Sequence, residues 1–226
     1  MFDRMVQEKS IVLGANGATI QGDLVMPAEV RGMVLFAHGS GSSRHSPRNR
    51  HVAGSLHKAG FGTLLLDLLT EREEVIEDAG GQLRFDVALL AERLLAAADW
   101  LEAEPITGSL PLGVFGASTG AAAALITAAD RPRRVRAVVS RGGRPDLAAD
   151  ALPRVQAPTL LIVGGEDRVV IDLNEDAAAQ MRAEHHIAIV PGATHLFEEP
   201  GTLDQVAQLA RSWFVAYLAA PESRAA

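Results

Sequence analysis

The chain has 226 residues, enough for one α/β domain with a sizeable core, and no cysteine, which excludes disulfides, thiolate metal ligands and a cysteine nucleophile. A formal net charge of −7 and a pI near 5.5 leave no basic excess to displace counterions from phosphates, which argues against a nucleic acid partner. No apolar run approaches the roughly eighteen residues of a membrane span, and residues 1–9 lack the apolar region of a signal peptide, so a cytoplasmic protein with no membrane partner is expected.

In chain order, Ser10 to Leu13 and Thr19 to Met26 read as an antiparallel pair turned at Asn16-Gly17, a dipeptide that accepts positive φ. Alternation of Ile20, Gly22, Leu24 and Met26 with Gln21, Asp23 and Val25 gives the second strand a mostly solvated face. Met33 to Ala37 is continuously apolar, as a strand covered on both faces must be, and runs into the loop His38-Gly39-Ser40-Gly41-Ser42. Ser46-Pro47 starts a helix carrying Val52, Leu56 and Ala59, closed by Gly60. Then come a strand Gly62 to Leu66, an acidic loop Glu71 to Asp78, and a helix whose stripe is Phe85, Leu90, Leu94, Ala97 and Leu101.

The pattern continues with strand Leu112 to Phe115, helix Ala121 to Ala129 and strand Val135 to Val139. A short helix Pro145 to Leu152, strand Thr159 to Val163, helix Asp172 to Ala183 and strand His186 to Val190 follow. Leu203, Val206, Leu209, Trp213 and Tyr217 mark a closing helix. Such alternation builds an α/β fold: a mostly parallel eight-stranded sheet with helices on both faces and ligands at the strands' carboxyl ends. One domain over residues 1–220 and a frayed tail at 221–226 are expected.

The chain is organised around Gly116-Ala117-Ser118-Thr119-Gly120, between a strand and a helix. A serine on so sharp a turn leaves no room for side chains two residues away, which is why glycine flanks it on both sides. Ser118 is the candidate nucleophile. A serine hydroxyl needs a base, and that base needs a carboxylate to fix its tautomer. Asp167, in Gly164-Gly165-Glu166-Asp167-Arg168, and His195, in Gly192-Ala193-Thr194-His195-Leu196, both follow strand ends, in the order Ser, Asp, His. Glu166, then Asp172, are the alternatives to Asp167.

The amides of Thr119 and Ser40 are the candidate oxyanion donors, with Gly41 as the substitute for Ser40. The other histidines show no His-Glu-x-x-His spacing, so no metal site is expected. His38, Gly41, Arg44 and Arg141 are candidate substrate contacts. Arg44, Arg48 and Arg50 follow the oxyanion loop, and Arg141 and Arg144 follow a strand. Either group could bind an anionic substrate or simply be solvated surface.

His38-Gly39, Gly116 to Gly120, Asp167 and His195 together resemble the α/β-hydrolase superfamily over nearly the whole chain. The stretch His38 to Arg50 and the segment Leu66 to Thr70 are similar to the dienelactone-hydrolase-like small esterases, whose namesake has a cysteine where this chain has Ser118. The resemblance implies hydrolysis of short-chain soluble esters through an acyl-enzyme on Ser118, with no cofactor. The link from Ser140 to Pro158 is too short for a cap domain. Thioester hydrolysis or acyl transfer by the same triad, and a non-catalytic ligand-binding module, remain open, as do the natural small-molecule substrate and the oligomeric state.

Overall fold

The computed structural model describes residues 7–218; the tail expected at 221–226 lies outside them. Eight strands form one sheet: β1 (Gln7–Ala15), β2 (Ala18–Met26), β3 (Gly32–Ala37), β4 (Phe61–Leu66), β5 (Leu112–Ala117), β6 (Val135–Arg141), β7 (Thr159–Gly164) and β8 (His185–Val190). Their order in space is β1-β2-β4-β3-β5-β6-β7-β8. The β1–β2 and β2–β4 pairings are antiparallel, the rest parallel. The hairpin between β1 and β2 turns at Asn16 (φ 47) and Gly17 (φ 83), the positive-φ pair that its sequence foretells.

Two apolar layers sandwich the sheet. Helices α1 (Pro47–Lys58) and α6 (Thr202–Leu218) bury Val52, Leu56, Val206 and Phe214 against Phe36, Phe115, Val139 and Ile162. Helices α3 (Val87–Ala103) and α4 (Thr119–Asp130) bury Leu90, Leu94, Ala122 and Leu125 against Leu35, Leu64, Val114 and Val138 on the other face. Alternate residues of β3, β5 and β6 divide between the layers, so both sets of side chains are apolar, as the continuous runs require. No separate cap domain is present, and among the described residues no helix is long and apolar enough to cross a membrane.

Several local expectations need correction. The acidic stretch Glu71–Asp78 is not a loop but a helix, α2, started by a capping box. Glu73 N–H donates to Thr70 Oγ1 at 3.2 Å, while Thr70 N–H donates to Glu73 Oε2 at 2.7 Å. Phe85 is 61% exposed in a 3-10 turn before α3, which Asp86 caps, so it lies off the apolar stripe. Helix α5 runs Arg168–Ala178, starting directly after Asp167. Residues Pro145–Arg154 are 3-10 turns kinked at Ala149, not one helix. Asp23, read as solvated, is buried: Arg44 of the loop after β3 lies 3.4 Å from it, and Arg50 of α1 donates from Nη2 to its Oδ2 at 2.9 Å.

Candidate active site

The parallel strands β3 to β8 deliver the loops that follow them to one edge of the sheet. Ser118 follows β5 directly and takes φ 50 and ψ −123, a conformation that costs a residue with a Cβ about 1–3 kcal/mol. Both flanking glycines are sterically required. A methyl on Gly116 would overlap the backbone of Gly120 and Ala121, and one on Gly120 would overlap the carbonyls of Ala37 and His38. A Cβ on Gly39 would stand 2.9 Å from that of Ser118, so the loop after β3 passes directly beside the serine.

Asp167 and His195 meet across the ends of β7 and β8. His195 Nδ1 donates to Asp167 Oδ2 at 2.7 Å, which fixes the tautomer and leaves Nε2 as the basic nitrogen. Glu166 and Asp172 are exposed and make no bond to His195. Glu166 instead contributes its backbone: its N–H donates to Ala193 O at 2.9 Å and latches the acid loop to the histidine loop. The histidine loop is braced further by Thr194, which donates from Oγ1 to Glu199 Oε1 at 2.6 Å and from N to Oε2 at 3.1 Å. The Thr194 hydroxyl holds the Glu199 carboxyl below the usual range.

Ser118 Oγ makes no hydrogen bond to His195 here; such bonds often close only in the substrate complex. His195 is nevertheless brought to the turn that carries Ser118. Ser118 N–H donates to Arg141 O at 3.2 Å, and a Cβ on Gly142, the next residue, would lie 3.6 Å from His195 Cε1. The amides of Thr119 and Ser40 are engaged by no acceptor among the described residues, as anion donors must be.

The candidate substrate contacts separate sharply. His38 is buried with both ring nitrogens used: Nδ1 donates to Gly39 O at 2.9 Å, and Nε2 accepts from Leu68 N–H at 3.1 Å. The ring therefore ties the loop after β3 to the loop after β4 and is not free to touch substrate. Arg44 is committed as well. Its backbone N–H donates to Asp67 Oδ1 at 2.8 Å, its Nη1 pairs with Asp67 Oδ2, and its Nη2 donates to Gln21 Oε1 at 2.9 Å. Arg50 is held by Asp23, Arg144 by Asp146 at 2.7 Å, and Arg48 loosely by Glu198 at 3.4 Å. Arg141 alone of these has no carboxylate and is 7% exposed. Gly41 is exposed with φ 68. Arg141, expected to follow its strand, is instead the last residue of β6 and is buried there, in alternation with Ala137 and Val139.

Burial pushes the His38 imidazolium below its ordinary value, and His57 is lowered by the same cause. Below the unfolded value of about 6.5 the unfolded chain binds protons that the folded chain refuses, so stability is full above that pH and falls as pH drops. The Tm should decline from about pH 7.5 to about pH 5.5, and less steeply in His38→Gln. An equal decline in both proteins would contradict this account of His38.

Set beside known proteins, residues 20–218 match the model of the dienelactone hydrolase family. A Mycobacterium tuberculosis protein named "Putative phosphoribosyl transferase" is 55% identical over 219 residues, which is 97% of this chain but 48% of that one, so the chain spans about half the length of the curated relatives it matches. The crystal structure of a dienelactone hydrolase from Anabaena variabilis superposes with a TM-score of 0.92 at 57% identity, covering 94% of this chain and 99% of that one. A serine hydrolase of Xanthomonas campestris described as lacking a lid shares the fold, with a TM-score of 0.76 at 18% identity over 95% of this chain and 96% of its own.

Proposed function

The chain belongs to the dienelactone hydrolase family, and from that premise we propose that it is a serine hydrolase of short, soluble carboxylic esters. The observation that carries this reading is the 2.7 Å bond from His195 Nδ1 to Asp167, set beside a serine held at φ 50. Ser118 Oγ attacks the ester carbonyl while His195 Nε2 takes its proton, and Asp167 stabilises the imidazolium. The oxyanion receives the amides of Thr119 and Ser40, and the protonated histidine returns its proton to the leaving alcohol. A water deprotonated by His195 then attacks the acyl-enzyme and restores the serine. Every one of these steps uses side chains and amides of this chain.

The phosphoribosyl transferase name belongs to a protein of which this chain matches 48%, and in this chain the matched residues include Ser118, His195 and Asp167. We therefore assign acyl-group chemistry to this matched part. Thioesters would form the same acyl-enzyme, and a second nucleophile could resolve it in place of water.

Substrate length follows from the missing cap. The cavity of about 600 Å³ between β2 and α2 is lined by Ile20, Gln21, Asp67 and Leu69 and does not include Ser118 or His195, so it supplies no acyl tunnel there. A long chain gains little of the ~0.8 kcal/mol per methylene that full burial supplies. The kcat/KM over a series of p-nitrophenyl esters should peak from acetyl to butyryl and show no jump when substrate forms an emulsion. A maximum on long-chain emulsions would overturn the reading.

A further inference from the structure

The loop after β3 carries the Ser40 amide, yet little within the loop itself holds that amide still. Among the described residues, no backbone N–H from Gly39 to Ser43 is donated to an acceptor. A Cβ on Gly41, at φ 68, would meet no atom within 4 Å, so the middle of the loop packs against nothing on that side. An oxyanion donor is useful only if it is fixed before the charge develops. The order must come from the loop's two ends.

Both ends are gripped, and by adjacent residues of the loop after β4. At one end His38 Nε2 accepts the Leu68 N–H at 3.1 Å, while Nδ1 donates to Gly39 O at 2.9 Å. At the other, Asp67 engages Arg44 with both carboxylate oxygens: Oδ1 accepts the Arg44 backbone N–H at 2.8 Å, and Oδ2 accepts from the guanidinium. Asp67 and Leu68 are themselves anchored, because the Asp67 N–H donates to Gln21 O of β2 at 2.9 Å and the Leu68 side chain is fully buried. An ion pair that served only stability would need the guanidinium alone. The charge-assisted bond to the Arg44 backbone N–H fixes the path of the main chain as well.

We propose that Asp67 is a positioning residue for the oxyanion donor: with His38 it clamps both ends of the loop after β3 onto the loop after β4 and so fixes the Ser40 amide beside Ser118. Neither side chain touches substrate. A donor that drifts loses its grip on the charged oxygen of the tetrahedral intermediate but hardly alters binding of the neutral ester. Acylation and deacylation both pass through that oxygen, so kcat falls while KM moves little. The effect on turnover rests on the serine-hydrolase reading, while the clamp itself does not.

Two measurements test this independently. Turnover of p-nitrophenyl butyrate is compared in the wild type, Asp67→Ala, Asp67→Asn and Arg44→Ala, well below the Tm of each. Asp67→Ala removes both bonds and should lower kcat about a hundredfold, the cost of a misplaced group at a reacting centre. Arg44→Ala keeps the backbone N–H that Asp67 Oδ1 accepts, so its loss should be much smaller; a plain ion pair would make the two losses equal. The inhibition constant of a trifluoromethyl ketone with the same acyl chain, whose hemiketal on Ser118 presents the oxyanion, should weaken in proportion to kcat. Should Asp67→Ala not fold, Asp67→Asn takes its place, with a smaller loss of kcat matched by the same loss of ketone affinity. In parallel, the heteronuclear NOE of the Ser40 amide, measured without substrate, should fall in the same Asp67 variant. Unchanged kcat in that variant, equal losses in Asp67→Ala and Arg44→Ala, a loss of kcat without one of ketone affinity, or a Ser40 amide as rigid as in the wild type overturns the proposal. A loosened Ser40 amide in a protein whose wild type hydrolyses no ester would sustain the clamp and sink the hydrolase reading. Wild-type hydrolysis that the Asp67 variants leave intact would do the reverse.

Discussion

Replacing Ser118 by alanine is expected to lower kcat on a short ester by about six orders of magnitude, with the fold retained. Alanine keeps the Cβ and therefore the strain of φ 50, so the Tm should hardly move. Glycine at the same position removes the Cβ that this conformation disfavours and should raise stability by about 1 kcal/mol while abolishing turnover just as completely. Rising stability with vanishing activity is what a strained nucleophile turn demands; a folded Ser118→Ala protein with wild-type turnover would refute it. The same loss is expected for His195→Ala, because members of a triad act together.

Asp167→Asn should lower kcat by about four orders of magnitude while leaving the protein folded. The side chain keeps its shape, but an amide at the position of Oδ2 can present N–H to His195 Nδ1. The proton then moves to Nε2, and the nitrogen that should accept from Ser118 can no longer do so. Glu166→Gln and Asp172→Asn are expected to have little effect, since neither side chain reaches His195. Kinetics of the three variants decide the matter: a severe loss in Glu166→Gln with a mild one in Asp167→Asn would reassign the acid.

The sharp turn at Ser118 was legible because its requirement is local. Gly116 and Gly120 face backbone that would overlap a Cβ, and that constraint is written within five residues. Strands β3 to β7 were legible for a similar reason, since parallel strands buried on both faces must be apolar on both. Helix α2 was missed by reading composition over pattern: Glu71 to Asp78 is acidic enough to suggest a loop, yet Thr70-x-x-Glu73 is a capping box, and the Arg84 side chain pairs with Glu74 and Asp78. Phe85 was placed on the α3 stripe because periodicity does not see the break that Asp86 makes by capping the helix.

Partnership is the part that sequence hides. Asp23 and Arg44 both look solvated in a one-dimensional reading, and they find each other and Asp67 only when β2, the loop after β3 and the end of β4 come together. His38 looks like a substrate contact until Leu68 N–H is seen to occupy its Nε2. Arg141 shows the converse: five arginines near the site share one chemistry, and only the three-dimensional arrangement shows which one was left without a carboxylate.

The central claim, that Ser118 carries the acyl group, is tested most directly by trapping that intermediate. Protein mixed with p-nitrophenyl butyrate and acid-quenched within the first turnovers, then digested and mapped by mass spectrometry, should carry a butyryl group on the peptide containing Ser118, and none in Ser118→Ala. Steady release of butyrate with no covalent adduct, or an adduct on any other residue, would contradict the account.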